Sequence, residues 1–255
     1  MSGLNNELIN TQRILAKQNA EISRLNNQLQ NINADLEQFT YVVAHDLKEP
    51  LRMVTSFMDQ LKNKYNNQLD DKAHVYIDFA IDGARRMQIM INELLEFSRI
   101  GRKNSMKELT SFKEILKEVE LNILKLTEET HAGIIITTEL PVLLVYRSDI
   151  SRLVQNLLIN AIKFRKKEIS PVIRLSATEK EDDWLFRVED NGIGIAKDKL
   201  ERVFEIFARL HTKEEYEGSG IGLAVCKKIV VQHGGKIWAE SEEGKGTTFY
   251  FTINK

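Results

Sequence analysis

The stretch Phe39-Thr-Tyr-Val-Val-Ala-His-Asp-Leu-Lys-Glu-Pro-Leu51 places one histidine, His45, inside an uninterrupted helical pattern. Asp46 follows it directly, and Pro50 comes a little further along the same helix. A helix holds a nucleophilic side chain rigidly, but it brings that side chain no second reactant. Another module of the chain must therefore supply one.

A heptad pattern extends from this stretch towards the N-terminus. With Leu8 as position a, nine of the eleven a and d positions from Leu8 to Val43 are apolar, and neither Gly nor Pro interrupts them. More than four heptads predict a coiled coil rather than a lone amphipathic helix. His45 then takes position c, which faces away from the seam. A plain dimerisation rod and a rod that transmits a signal to His45 both fit this pattern.

The same helix is predicted to continue to about Tyr65, followed by a turn at 66–71 and a second helix over about 72–100. Two such antiparallel helices, dimerised, make a four-helix bundle. Pro50 removes one backbone donor and should kink the first helix, which predicts a hinge close to His45. The second helix carries its own small and apolar stripe at Ala80, Ala84, Met87, Ile91, Leu94 and Ser98.

Composition excludes several classes of function. The 255 residues include 36 Lys and Arg against 37 Asp and Glu, so we expect neither a nucleic-acid partner nor an anionic membrane surface. Cys226 is the single cysteine, which excludes intrachain disulfides and favours a reducing, cytoplasmic location. The sequence has no apolar run long enough to cross a membrane. No input domain precedes the coiled coil, so we expect an upstream sensor domain or a separate regulatory protein.

After a polar linker at 101–105 the pattern changes to mixed helices and strands. Runs such as Thr-Thr-Phe-Tyr-Phe-Thr-Ile, ending at Ile253, have the β-branched and aromatic content of strands. The fold class is therefore an all-α coiled coil and dimeric four-helix bundle, followed by an α+β sandwich with helices on one face of a mixed sheet. Helices are predicted at 112–129, 148–166 and 221–233, and strands at 133–139, 142–145, 172–180, 184–190, 236–241 and 247–253.

A polar helix face is the first of three candidate ligand-binding motifs. Asn156, Asn160 and Lys163 are spaced i, i+4 and i+7, so they share one side of a helix. Amide oxygens suit Mg²⁺, and a lysine ammonium suits a phosphate. An exposed polar stripe on an amphipathic helix explains the same spacing about equally well.

The second motif is Glu189-Asp190-Asn191-Gly192-Ile-Gly194, at the end of a predicted strand. An aspartate there can accept a hydrogen bond from an exocyclic amine, while Gly192 and Gly194 let the backbone approach a planar base. Taken alone, the motif is more simply a turn.

The third motif, Gly218-Ser-Gly220-Ile-Gly222-Leu-Ala, stands directly before an apolar helical pattern. Glycines at a helix N-terminus bring backbone N–H groups and the positive end of the helix dipole onto phosphates. The motif is weak evidence by itself, because the strand expected before a dinucleotide-binding loop is missing. Phe204–His211 and the charged residues 213–217 precede it, and their composition predicts a mobile lid over a nucleotide.

In this order, the motifs resemble those of sensor histidine kinases of two-component signalling. The eight residues 45–52 resemble the phosphoacceptor box, and 156–164, 190–195, 204–207 and 218–223 resemble the N, first glycine, F and second glycine boxes. The resemblance covers roughly residues 33–255 and is most similar to the phytochrome-type branch. It implies a dimerisation and phosphoacceptor domain followed by an ATPase domain of the GHKL (Bergerat) type.

The resemblance also implies roles and cofactors. ATP and Mg²⁺ would bind the second domain, with Asn160 on the metal and Asp190 on the adenine amine. His45 would accept the γ-phosphoryl group, and Asp46 would orient or deprotonate it. Asn156 stands where ATP-hydrolysing relatives have a glutamate base, so transfer is favoured over hydrolysis. The implied nucleotide-binding residues are Asn156, Asn160, Lys163, Asp190, Gly192, Gly194, Gly218, Gly220, Gly222 and Thr247.

The expected function is ATP-dependent autophosphorylation of His45 in a homodimer, with transfer to the receiver domain of a response regulator. A non-catalytic ATP-binding dimer module and a coiled-coil scaffold are the alternatives. Glu49 replaces the Thr or Asn common in kinases that also act as phosphatases, which predicts weak phosphatase activity. His233 lies at a predicted helix C-terminus, which favours a cation. The expected domains are the coiled coil at 1–38, the phosphoacceptor hairpin at 39–102 and the ATP-binding domain at 108–255.

Overall fold

The chain opens on one long helix, α1 (Ser2–Lys64), of 63 residues. Gly3 and Pro50 are its only Gly and Pro residues, so little in its sequence opposes helix formation. The helix continues through Pro50, and the kink expected there stays a prediction. The computed structural model describes residues 2–100, 106–208 and 219–255, and within α1 it leaves aside the side chains of residues up to 9 and of 29–30, 33–34 and 36–37.

A short turn reverses the chain after α1. It contains a 3₁₀ turn, Asn66–Gln68, and leads into α2 (Asp71–Arg99). The Asp70 carboxylate caps α2 by accepting a hydrogen bond from the Ala73 N–H at 2.7 Å. An ion pair between Lys62 and Asp78, with a nitrogen–oxygen distance of 2.5 Å, ties the two helices beside the turn. The predicted helical hairpin is confirmed.

The hairpin has one apolar face inside and a second one outside. Ala44 on α1 is 2% exposed, and Ile77, Ile81, Ala84 and Leu95 are the buried apolar residues of α2. Of the stripe predicted for α2, Ala84 and Ser98 are buried in the single chain, whereas Ala80 and Met87 are exposed. Because the predicted bundle is dimeric, the role of the exposed members stays a prediction.

The described residues of the second domain form two separate sheets. The larger sheet is mixed and has the strand order β2-β4-β5-β7-β6, in which only the β2–β4 pair is parallel. The smaller sheet pairs β1 with β3 in antiparallel fashion. The strands are β1 (Glu108–Ser111), β2 (Gly133–Ile136), β3 (Val142–Val145), β4 (Val172–Glu179), β5 (Asp183–Asp190), β6 (Ile237–Glu242) and β7 (Gly246–Asn254).

Four α-helices lie in the described part of this domain, and the core lies between them and the larger sheet. They are α3 (Phe112–Asn122), α4 (Leu124–Thr130), α5 (Arg147–Lys163) and α6 (Gly222–Gln232). The rings of Phe112, Phe186 and Phe251 stack in sequence, with centroids 4.4 and 4.8 Å apart. Each fully buried side chain of this size contributes about 1.5–3 kcal/mol through the hydrophobic effect. The predicted α+β sandwich with a mixed sheet is confirmed.

Two details of this domain differ from the prediction. The helix expected over 112–129 is divided at Ile123, whose backbone leaves the helical region with φ −104° and ψ 10°. The strand β3 belongs to the smaller sheet, together with β1, which the four residues Glu-Leu-Thr-Ser did not reveal. No helix in the described part of the chain has an apolar stretch of the length that crossing a membrane requires.

Candidate functional site

His45 lies on the exposed surface of α1, beside the buried Ala44. Its side chain is 67% exposed, and its Nδ1 lies 3.3 Å from Oδ1 of Asp46. The ring also stacks on that of Tyr41, with centroids 6.5 Å apart and planes inclined by 29°. Neighbouring helix residues do not usually face each other, so this contact depends on the side-chain rotamers of the two residues.

Asp190, at the end of β5, is held in place by backbone hydrogen bonds. Its Oδ1 accepts hydrogen bonds from the backbone N–H groups of Gly192 at 2.8 Å and Thr247 at 3.1 Å. No hydrogen bond within the described part of the chain reaches Oδ2. Burial raises the pKa of Asp190 to about 6, although the two N–H groups partly offset this effect. The carboxylate is therefore largely ionised near pH 7.

The first glycine loop packs between the end of α5 and the end of β6. A Cβ at Gly192 would lie 2.5 Å from the carbonyl oxygen of Phe164, and one at Gly194 would lie 2.2 Å from that of Glu242. Gly194 also has a φ of +76°, which favours glycine. The Ile193 N–H donates to the Phe164 oxygen at 3.0 Å. These close approaches bring Asp190 to the C-terminal end of α5.

The polar face of α5 lies against the start of α6. The Asn156 amide donates to the carbonyl oxygen of Gly222 at 3.3 Å, which joins two of the predicted motifs. Asn160 is half-buried one turn further along the same face, and the Lys163 ammonium lies 4.4 Å from the centroid of the Phe164 ring. The side-chain amide oxygens of Asn156 and Asn160 are the kind of ligand that Mg²⁺ prefers, and this ion keeps several water and phosphate ligands as well.

The second glycine loop ends where α6 begins, at Gly222. The Gly220 carbonyl accepts from the Phe207 N–H at 3.0 Å, and a Cβ on Gly220 would lie 2.7 Å from the Ala208 oxygen. This packing places the F box beside the loop. The predicted site residue Gly218 and the predicted lid residues 209–217 lie outside the described residues.

Two family models match this architecture in the order in which the domains occur. The His Kinase A (phospho-acceptor) domain matches residues 35–103, and the histidine kinase-, DNA gyrase B-, and HSP90-like ATPase matches residues 146–255. Between them they account for most of the chain. The protein is a member of the sensor histidine kinase family.

Similar curated proteins place this sensor histidine kinase near the phytochrome-type branch. Cyanobacterial phytochrome A of Nostoc sp. is 42% identical over 94% of this chain and 31% of its own length. The phytochrome-like protein Cph1 of Synechocystis sp. is 39% identical over 94% of this chain and 32% of its own length. The resemblance to the phytochrome-type branch is thereby confirmed. The chain spans about a third of the length of these relatives.

Solved structures of histidine kinases share the fold. Histidine kinase ThkA in complex with response regulator protein TrrA aligns with a TM-score of 0.55 and 26% identity, over 86% of this chain and 61% of that one. Full-length ShkA in complex with AMPPNP aligns with a TM-score of 0.63 and 24% identity, over 85% of this chain and 45% of that one. The latter similarity concerns the fold alone.

Sequence reasoning missed two residues whose side chains hold the first glycine loop in place. The Ser241 hydroxyl accepts from the Ile195 N–H and donates to the Gly246 oxygen, both at 2.8 Å. Asn191 accepts from the Val172 N–H at 2.8 Å and donates to the Ser170 oxygen at 3.1 Å. Ser241 carried no detectable signal, because a serine within a strand usually has no special role. Asn191 lies inside the first glycine motif, but the sequence alone gave it no role.

His233 does not carry the charge that its position suggested. Its side chain is buried, with the Tyr146 N–H donating to Nε2 at 3.2 Å and Nδ1 lying 2.8 Å from the Ile229 oxygen. A ring nitrogen that accepts a backbone N–H must be unprotonated, so the ring is neutral. Burial lowers the pKa of His233. The expectation of a cation at this helix end is therefore wrong.

Proposed function

We propose that this sensor histidine kinase transfers the γ-phosphoryl group of ATP to His45 and passes it on to a response-regulator aspartate. The observation that carries the proposal is the junction of three motifs around the ends of α5, β5 and α6. Asp190 is anchored by two N–H groups, the first glycine loop packs on Phe164, and Asn156 bonds to Gly222. ATP has an amine to bind at one end and phosphates at the other.

Asp190 recognises the adenine end of the nucleotide. Its Oδ1 is held by Gly192 and Thr247, which orients Oδ2 to accept a hydrogen bond from the adenine amine. A hydrogen bond to an ionised group contributes about 1.5–3 kcal/mol, more than one between neutral groups. Gly192 and Gly194 keep this wall of the site free of side chains, so the base can lie against the backbone.

The opposite end of the site holds the phosphates. Asn160 would coordinate Mg²⁺, and Asn156 and Lys163 would contact the metal–phosphate group. Gly220 and Gly222 bring backbone N–H groups and the positive end of α6 towards the phosphates, and Gly218 stays in the proposed phosphate-binding set from the sequence alone. Mg²⁺ supplies charge neutralisation there when it is bound. The amide of Asn156 is no base for water, which favours transfer over hydrolysis.

His45 is the proposed acceptor because its imidazole is exposed and one of its ring nitrogens can offer a lone pair for in-line attack. Asp46 accepts a hydrogen bond from the Nδ1–H, and this tautomer leaves the lone pair on Nε2. The Nε2–phosphorus bond forms as the bond to the ADP oxygen breaks. Because the ring is exposed on α1, it is open both to the ATP-binding domain and to a receiver domain.

An outward apolar face on the hairpin supports a homodimer. Val43, Leu47, Val54, Phe57 and Leu61 share one side of α1 and are 38–60% exposed in the single chain. A second copy would cover this face in a four-helix bundle, continuing the coiled coil proposed for residues 1–38. The division into a coiled coil, a phosphoacceptor hairpin and an ATP-binding domain therefore remains part of the proposal.

The relatives support the remaining partners. The ThkA structure contains a response regulator, which makes a receiver domain the proposed recipient of the phosphoryl group. The phytochrome relatives are about three times as long as the matched region, which supports an upstream sensor domain.

The test is incubation of the protein with γ-labelled ATP and Mg²⁺. We expect acid-labile, alkali-stable label that is lost in His45→Gln and retained in His131→Asn. His131 is a matched control, because it is exposed and has a φ of 52°, a conformation that asparagine tolerates. Nucleotide binding without any label would instead favour the non-catalytic ATP-binding module.

A further inference from the structure

The C-terminal end of α2 contacts the ATP-binding domain through side chains outside every predicted motif. Nη2 of Arg152, on α5, lies 2.8 Å from Oε2 of Glu96. The Lys228 ammonium, on α6, donates to the Phe97 carbonyl oxygen at 2.8 Å and lies 4.5 Å from the centroid of its ring. Ile100 is 3% exposed and belongs to the core of the ATP-binding domain.

Glu93, one turn earlier on α2, reaches the second glycine loop. The Ser219 hydroxyl donates to the Glu93 carboxylate and accepts from the Ile221 N–H at 3.2 Å. Ile221 directly precedes α6 and provides no side-chain cap. A carboxylate of the helical hairpin therefore lies at the positive end of α6, where an anion is stabilised.

We propose that Glu93 competes with the nucleotide phosphates for the second glycine loop, so that nucleotide binding detaches the loop from α2. This inference rests on the proposed ATP site. Without nucleotide, the Glu93 carboxylate interacts favourably with the α6 dipole. Phosphates at the same helix end repel the carboxylate, and only one of the two anionic groups can remain there. Glu93 thus lowers the affinity of the resting kinase for ATP.

The neighbouring contacts make this competition reversible. The side chains of Glu96 and Arg152 are 46% and 28% exposed, and ion pairs with such access to solvent are weak. Ile100 is anchored in the domain core, so the end of α2 stays attached when Glu93 moves away. We define Glu93, Glu96 and Phe97 as the α2 latch, with Ile100 as its pivot.

The first experiment measures binding of a non-hydrolysable ATP analogue to the full chain with Mg²⁺ at low salt. Glu93→Gln keeps an acceptor for Ser219 but removes the charge, so we expect the Kd to fall by about three- to tenfold. A tighter complex is a gain that misfolding would not produce. Glu128→Gln is the matched control, because Glu128 is exposed on α4 and makes no ion pair among the described residues. Its Kd should equal that of the wild type.

The second experiment follows backbone hydrogen exchange over residues 93–100 and 219–224. Addition of the analogue to the wild type should speed exchange in the α2 latch, and Glu93→Gln should show faster exchange there before any addition. The paired substitution of Glu96→Arg with Arg152→Glu should restore protection lost in either single variant.

The outcomes separate the two proposals. An unchanged or higher Kd in Glu93→Gln, with normal binding by the wild type, overturns the competition and leaves the ATP site standing. Failure of both proteins to bind the analogue, with exchange protection retained in the latch, overturns the proposed ATP site and the competition with it.

Discussion

His45, the proposed phosphoryl acceptor, and Asp190, the proposed adenine-binding residue, lie in opposite environments. His45 is exposed on a single helix, and among the described residues Asp46 is its one side-chain neighbour within hydrogen-bonding distance. Asp190 is enclosed by two loops and held by two backbone N–H groups. A phosphoryl acceptor that must contact several protein domains has to be exposed to solvent. A carboxylate that recognises adenine has to keep its oxygen atoms in a fixed orientation. Substitutions at the two places should therefore fail in different ways.

The largest expected effect is the loss of nucleotide binding in Asp190→Asn. The asparagine oxygen can still accept from Gly192 and Thr247, but its NH₂ group then faces the adenine amine, donor against donor. We expect ATP affinity to fall about 100-fold, or about 2.7 kcal/mol. Calorimetric titration with an ATP analogue measures it. His45→Gln and Asp46→Asn should bind as the wild type does, and an equal loss in all three variants would contradict the contrast.

A second comparison concerns two glycines near β7. A Cβ at Gly246 (φ +117°) would lie 2.1 Å from the Asp190 carbonyl oxygen, whereas at Gly244 (φ +81°) it would meet nothing within 4 Å. Either alanine strains the backbone by about 1–2 kcal/mol. Gly246→Ala adds the backbone overlap, so we expect it to lower the free energy of unfolding by about 2 kcal/mol more. Urea unfolding of both variants decides this, and equal midpoints would count against the tight packing.

The smallest effect is a pH dependence of stability that His233 contributes. Burial lowers its folded-state pKa below the ordinary value of 6.5, so the unfolded chain binds more protons in the window below that value. The contribution of His233 to stability is therefore complete above pH 6.5 and is lost as the pH falls below it. Asp190, with its raised pKa, contributes in the opposite direction between about 3.8 and 6.

Thermal unfolding of the wild type and of His233→Gln between about pH 7.5 and pH 5.5 gives the His233 contribution as the difference between them, because Asp190 titrates in both proteins. As the pH falls from about 7.5 to about 5.5, His233→Gln should lose less stability than the wild type does. This holds whatever the stability of the variant at about pH 7.5. An unchanged slope in this variant would show that the buried ring does not control the pH response.

The sequence was most informative where one element carries a repeated pattern. The heptads predicted α1, and the polar residues at 66–71 predicted the turn of the hairpin, because helical periodicity and turn composition depend on residues close together in the chain. The same local reasoning failed for β1 and for the break at Ile123. A four-residue edge strand has no periodicity to detect, and its partner β3 lies more than thirty positions away.

At the site, the order of the motifs identified the family, but their geometry required the folded chain. The sequence named Asp190, Asn156 and Gly222 without indicating that Phe164 supports the first glycine loop or that Ser241 ties it to β7. The sequence likewise suggested a charged His233, whereas the buried ring is neutral. The Tyr146 N–H that donates to its Nε2 comes from a distant part of the chain, so the local sequence could not reveal this contact.

By itself, the sequence determined the helical rod, the exposed histidine with its adjacent aspartate, the mixed-sheet domain and the family. These features depend on residue type at short or regular spacing. Only the tertiary structure decided how Asp190 is anchored, which face of α2 is buried and that Glu93 reaches Ser219. Each of these depends on contacts between residues far apart in the chain, whose pairing is set by packing of whole elements.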